Sequence, residues 1–227
     1  MIIARGKTTY ITELQREQVD AMQWWGHHTN PLFDSYNFPI MNTVEREYWY
    51  RNKKYSFTKR CFGVCNLEDI FIGYIALRNI RWVRKHSELG IVFDPKHVGK
   101  GYGSDSLKSF LDYYFHHMKM KQLGLKVALF NKRAEKCYEN SGFQLKEMKY
   151  DAFEDQNLRV FQEDSLIAYR QFFQQRGKEL LCSYKHMYIT KEMHLANKTN
   201  YPHYTPNTCA YPRENVDNQE IFLKKST

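Results

Sequence analysis

A mixed α/β fold, with a central, mostly antiparallel sheet and helices on both faces, is what this 227-residue sequence predicts. Three observations carry it. Residues 61–65 and 70–77 are apolar, β-type runs separated only by the turn residues 66–69, which makes them a hairpin. A strand at 89–93 is followed by Gly99, Gly101 and Gly103 and then by helical periodicity to about Met118. A further strand at 124–130 leads into a short helix and another strand.

In chain order, the β-branched run 8–14 reads as a first strand. Residues 16–25 read as a helix, with Val19, Met22 and Trp25 at i, i+3, i+6. Residues 27–39 are rich in Asn, Pro, Asp and Ser and read as loop. Asn42 is placed to cap a second helix through Arg51, with Glu45 at the capping-box spacing. After the hairpin, the basic connector 81–86 leads to the strand 89–93, which Asp94-Pro95 stops. The helix after the glycines carries Leu107, Phe110, Leu111, Tyr114 and Phe115 on one stripe. Asn131 opens a helix to about Asn140, residues 141–143 end it, and a strand runs to about Phe153. Residues 165–175 read as helix, Gly177 as its stop, and 180–190 as a last strand. Residues 1–190 are thus one domain. From 191 to 227 the composition changes, with Pro202, Pro206, Pro212 and five asparagines, and an irregular extension is expected, draped through Tyr201, Tyr204 and Tyr211.

At 42% hydrophobic residues there is enough apolar content for a core, which excludes wholesale disorder. No run approaches the ~18 uncharged apolar residues of a membrane span, and residues 1–7 lack the apolar stretch of a secretory signal, so the expected location is the cytoplasm. The net charge of +9 favours anionic partners such as phosphorylated cofactors or nucleic acid. The cysteines at 61, 65, 137, 182 and 209 contain no CxxC and read as reduced thiols. The adjacent pairs His27-His28 and His116-His117 lack the i, i+4 spacing of a metal clamp, and no metal is expected.

A glycine turn lets several main-chain N–H groups converge, and the helix that follows adds unpaired N–H groups and the positive end of its dipole. The result is an anion site suited to a pyrophosphate. Two familiar phosphate loops are excluded by spacing. The dinucleotide fingerprint would need glycine where Ser106 stands, and the ATP-type loop would need Ser or Thr where Gly101 stands and glycine where Asp94 stands. Downstream, Asn131 and Tyr138 lie seven apart, on one helix face, with the small Ala134 between them; a tyrosine hydroxyl there can act as a general acid.

Together, Gly99-Lys100-Gly101-Tyr102-Gly103 and Asn131-(x)2-Ala134-(x)3-Tyr138-(x)3-Gly142-Phe143 resemble the motifs of the GNAT superfamily of N-acetyltransferases. The resemblance spans about residues 8–190, and its layout is most similar to bacterial acetyltransferases of the ribosomal-protein N-terminal type. It implies splayed central strands and acetyl-CoA as co-substrate. The pyrophosphate would sit on the amides of Val98, Gly99, Lys100, Gly101, Tyr102, Gly103 and Ser104. The pantetheine would lie where the strand 89–93 parts from the strand 125–130. Asn131 and Ala134 would face the pantetheine, and Tyr138 would protonate the departing thiolate. Where the family usually has Gln or Arg, this chain has Val98, with Lys100 nearby as a compensating charge.

An alkyl ammonium, with a pKa of about 10, must lose a proton before it attacks. Glu88 is the first candidate to take it and Asp94 the second. A main-chain N–H near Ile91 or Val92 is the candidate donor to the developing oxyanion. The aromatic residues Trp24, Trp25, Phe33, Tyr36 and Phe38 read as an acceptor wall or as core. The resulting expectation is transfer of acetyl from acetyl-CoA to a primary amine, on a small molecule or a protein N-terminus, by direct attack in a ternary complex. The alternative is a catalytically silent CoA-binding sensor or an RNA-associated protein, including a tRNA-acetylating toxin. Monomer and homodimer remain open, with 180–190 and the tail as interface material.

Overall fold

The computed structural model describes residues 1–199. Among these, nine strands form one sheet: β1 (Ile2–Arg5), β2 (Thr9–Glu13), β3 (Arg60–Asn66), β4 (Phe71–Arg81), β5 (His86–Phe93), β6 (Gln122–Ala128), β7 (Gln144–Ala152), β8 (Phe173–Arg176) and β9 (Glu179–Thr190). The order is β1-β2-β3-β4-β5-β6-β9-β7, with β8 pairing β9. Every pairing is antiparallel except β5–β6. The helices are α1 (Arg16–Ala21), α2 (Thr43–Lys54), α3 (Tyr102–Asp112), α4 (Lys132–Glu139) and α5 (Lys191–Thr199). No described helix is long and apolar enough to cross a membrane.

The apolar stripe of α3 explains one layer. Leu107, Phe110, Leu111 and, in the π-helical turn that follows, Tyr114 and Phe115 are fully buried against Ile75, Leu77, Leu89, Leu123 and Leu125 of the sheet. The opposite face is covered by α1 and α2 through Leu14, Val19, Met22, Trp25 and Tyr50. Asn42 caps α2 as its spacing predicts. Its side chain accepts from the Glu45 N–H at 3.0 Å, and the Glu45 carboxylate accepts from the Asn42 N–H at 2.8 Å.

Four expectations need correction. The chain begins with a strand, β1, ahead of the first one expected. Residues 165–175 do not form an α-helix: a 3-10 segment, Asp164–Phe172, gives way to β8. Gly177, at φ +61°, turns β8 back onto β9 with Arg176 opposite Glu179, so it closes a hairpin where a helix stop was expected. Finally, residues 191–199 continue as α5, where the irregular extension was expected to begin. His194 is buried, its Nε2 2.8 Å from Asp112 Oδ1 and its ring 5.3 Å from that of Phe115. Tyr201, Tyr204, Cys209 and Tyr211 lie outside the described residues.

Candidate active site

The site begins with a parting of two parallel strands. β5 and β6 pair only at His86–Gln122, Ser87–Leu123 and Glu88–Gly124. Tyr114 staples this closed end: its hydroxyl donates to Gln122 O at 2.7 Å and receives the Ser87 hydroxyl at 2.9 Å. Beyond it, the β6-facing edge of β5 has no strand partner among the described residues. The antiparallel pairing with β4 decides which groups this frees. The Asp94 N–H donates to Ile72 O, so even-numbered β5 residues exchange hydrogen bonds with β4 and the odd ones face away. The main-chain groups of Ile91 and Phe93 therefore look into the opening. Of the two expected oxyanion donors, Ile91 has its N–H on the edge without a strand partner; the Val92 N–H is spent on β4, and Val92 contributes its side chain alone.

At the open end of β5 the chain turns through Pro95–His97 into the glycine loop. Gly99 and Gly101 stand at φ +85° and +86°, left-handed values that L side chains rarely adopt, and a Cβ at either position would meet nothing within 4 Å. Their requirement for glycine is therefore conformational, and the space in front of them is open. Gly101 is the N-cap of α3, and the first helical bond runs from Asp105 N–H to Gly101 O. The amides from Gly99 to Ser104 find no acceptor among the described residues. Val98 does not join them: its N–H leans toward Pro95 O at 3.4 Å.

The far wall is α4. Its N-cap, Asn131, accepts from the Ala134 N–H at 3.2 Å. Buried Glu135, ion-paired to Lys185 of β9 and to Lys132, holds the helix to the sheet. Tyr138 is 8% exposed; burial, with Tyr36 and Cys137 beside it, raises its phenol pKa far above neutrality, so it carries its proton at physiological pH. The third wall is the segment Pro31–Tyr36, where burial, chiefly, pushes the Tyr36 phenol up to about 12. Asn131, beside it on the lining, acts in the opposite direction.

These walls enclose a cavity of about 290 Å³. Ile91, Val92, Val98, Gly99, Gly101, Gly103, Ser104, Asn131, Ala134 and Tyr138, all singled out in the sequence, line it. Lys100 and Tyr102 do not, and Tyr102 can serve only through its main-chain amide. Glu88 is exposed, accepts from Asn79 Nδ2 at 3.0 Å and is absent from the lining. Asp94 is a structural clamp: buried, its Oδ1 accepts from the amides of Gly26 and Lys96, each at 3.0 Å. The aromatic wall divides. Phe33 and Tyr36 line the cavity, Trp25 and Phe38 belong to the core beneath α2, and Trp24 is exposed. Sequence reasoning missed His28, Lys126 and Arg133 on the lining. His28 was visible only as half of a histidine doublet; burial and the nearby Arg133 lower its pKa, so it stands neutral.

A sheet that parts around a cleft, with free amides at its open end and a protonated tyrosine across from them, defines an acyl-transfer scaffold. The chain belongs to the GNAT acetyltransferase family: the family model "Acetyltransferase (GNAT) domain" matches residues 9–144. It is an N-acetyltransferase by that membership. A relative, spermidine N(1)-acetyltransferase of Vibrio cholerae serotype O1, is 27% identical over 141 residues, which is 62% of this chain and 75% of the relative. Among solved structures, spermidine N-acetyltransferase from Vibrio cholerae in complex with CoA and spermine superposes with a TM-score of 0.63 at 22% identity, covering 83% of this chain and 98% of that one. A dodecameric structure of spermidine N-acetyltransferase from the same organism gives 0.59 at 21%, covering 84% and 98%. At these identities the likeness to the solved structures is one of fold.

Proposed function

We propose that this protein moves the acetyl group of acetyl-CoA to a small primary amine by direct attack within a ternary complex. The observation that carries it is the run of amides from Gly99 to Ser104 that have no acceptor among the described residues, at the end of a strand edge that has no strand partner among them. CoA fits what is present. Its diphosphate needs convergent N–H donors and the dipole of α3, its pantetheine amides need a free strand edge, and the lining includes Arg133 and Lys136 but no carboxylate. When bound, the thioester supplies an acetyl group open to attack by an amine. The chain's own groups do the rest. Ile91 N–H is directed to polarise the acetyl carbonyl, and the Tyr138 hydroxyl gives its proton to the leaving sulfur. A protein N-terminus, as in the ribosomal-protein branch, is the finer alternative, tested by a short peptide in the same assay.

Isothermal titration with CoA tests the cradle. Gly101→Ala puts a Cβ at φ +86° and into the open space before the amides. The expected results are a stability loss of roughly 1–2 kcal/mol from the left-handed strain and a CoA affinity reduced about tenfold or more, the equivalent of one lost charge-assisted hydrogen bond. Unchanged affinity would mean that the loop does not hold the diphosphate.

The amine's proton needs a base on the lining, and His28 supplies it. Its ring centroid is 5.6 Å from that of Phe33 and 6.5 Å from that of Tyr36, and Arg133 is the cation that it senses. A lowered pKa keeps the imidazole a proton acceptor throughout the neutral range, so its acid limb in kcat/KM falls below about 6.5, the ordinary histidine value. His28→Gln is expected to cost about 10²-fold in kcat/KM and to abolish that limb. If the limb persists in the variant, His28 is not the base.

A further inference from the structure

Phe33 and Tyr36 take no part in the proton transfers, yet both line the cavity. In a 3-10 turn residues three apart eclipse, so these two rings of the segment Pro31–Tyr36 share a face. Their centroids are 6.1 Å apart and their planes inclined by 47°. His28 adds a third ring within 6.5 Å of both. Phe33 also meets Phe130, the residue before the N-cap of α4, nearly edge-on at 5.6 Å. All three lining rings are only half-buried.

The wall is built before any ligand arrives. Leu32 is 1% exposed and anchors the segment in the core around Phe130, Phe153 and Leu166. Asn30 accepts from the Leu32 N–H at 3.0 Å, and the Phe33 N–H donates to Asn30 O. Asn37 closes the other end: its Oδ1 accepts from the His28 N–H at 2.6 Å and its Nδ2 donates to His28 O at 3.2 Å. The N–H groups of His28, Leu32 and Phe33 are spent in these bonds, so ring surface is what this wall offers a ligand. Rings inclined to one another at these separations leave faces and edges for a further ring, since aromatic pairs favour offset or edge-on contact over a face-to-face sandwich. Charge offers little here to an ammonium. No carboxylate lines the cavity. Asp34 and Glu154 are exposed and accept from Asn37 Nδ2 at 2.9 Å and from the Ser35 hydroxyl at 3.2 Å. Glu154 is the carboxylate whose charge reaches the Tyr36 phenol, and an acceptor that used it would be a polyamine.

We infer that His28, Phe33 and Tyr36 form the specificity wall for the acceptor, and that the amine acetylated is a monoamine carried on an aromatic ring through a short alkyl arm. This rests on the acetyl transfer proposed above, in which the attacking nitrogen gives its proton to His28 and so brings the group it carries against the neighbouring rings. The nitrogen bonds to the acetyl carbon as the C–S bond breaks, and the sulfur takes its proton from Tyr138. Initial rates with acetyl-CoA are measured at equal free-amine concentration for 2-phenylethylamine, n-propylamine and spermidine. The aryl amine is expected to lead the other two in kcat/KM by about tenfold or more. Phe33→Leu and Tyr36→Leu should each raise its KM about fivefold, with n-propylamine and CoA affinity within about twofold of the parent, while Tyr36→Phe, which keeps the ring, should leave that KM within about twofold. Spermidine or n-propylamine equal to the aryl amine overturns the aromatic wall alone, whatever the variants do. So does a KM for the aryl amine that neither leucine variant moves. Leucine variants with the parental Tm that weaken CoA in place of the aryl amine assign the rings to the cofactor and overturn it too. Absence of CoA binding, or of turnover with every acceptor, overturns the acetyl transfer and the wall with it.

Discussion

Tyr138→Phe is expected to lower kcat by about 10²–10³-fold, the range of a general acid removed from a proton-transfer step, while CoA binding stays within about twofold of the parent, since no charged contact is lost. The ring stays, so the packing of Tyr138 against Phe143, centroids 5.9 Å apart, is kept. What goes is one hydroxyl, buried and held protonated by desolvation and by the neighbouring Tyr36 and Cys137. A thiolate leaving without a proton departs at a lower rate, so the loss falls on kcat. It should shrink when the leaving thiol is more acidic, as in an aryl thioester analogue. The pH profile adds a sign check. With the phenol pKa raised above its ordinary value of about 10, the donor form persists through the neutral range and beyond, so Tyr138 contributes no alkaline limb below pH 10. Wild-type rates in the variant would leave the cleft with CoA binding and no assigned proton donor.

The local parts of this site were legible in the sequence, and the parts made by register were not. The glycine loop and the Asn131–Tyr138 face each lie within one element, where spacing fixes geometry. Glu88 shows the limit. It shares a face of β5 with Val92, but four residues of strand put it about 13 Å back from the open end, at ~3.3 Å per residue. Alternation reveals the face, while only the pairing of Glu88 with Gly124 shows where the strands part. The choice between Ile91 and Val92 needed the hydrogen-bond phase of β4 against β5. Phe33, Lys126 and Arg133 of the lining belong to elements far apart in sequence, and the insertion of β9 between β6 and β7 depends on long-range pairing that no local pattern encodes. The hairpin at Gly177-Lys178 did have a signal, a glycine-first two-residue turn, which the apolar content of 165–173 outweighed.

The position of the cradle depends on a carboxylate at the start of α3, and its removal carries the largest expected loss of stability. Asp105 accepts from the amides of Lys7, Thr8 and Thr9 and from both threonine hydroxyls, at 2.8–3.1 Å. It thereby fastens the β1–β2 turn to the first turn of the helix whose N-terminal amides front the cavity. Thr9 is fully buried, so Asp105→Ala strands two donors without access to water. At roughly 1–3 kcal/mol for each unsatisfied group, the expected cost is about 2–4 kcal/mol, a fall in Tm of roughly 5–12 °C for a chain of this length. Asp105→Asn should cost nearly as much, because half of its amide is a donor facing donors. Burial alone would raise the Asp105 pKa, but the five hydrogen bonds prevail and hold it below the ordinary carboxylate value. A depressed native pKa means that the stabilisation is complete above the unfolded pKa of about 4 and is lost as pH falls through the native value. Wild type should therefore lose stability relative to Asp105→Ala below about pH 4, the two melting curves converging as the carboxyl protonates. A difference in Tm that stays constant from pH 7 to pH 3 would show that the charge of Asp105 does not hold the turn.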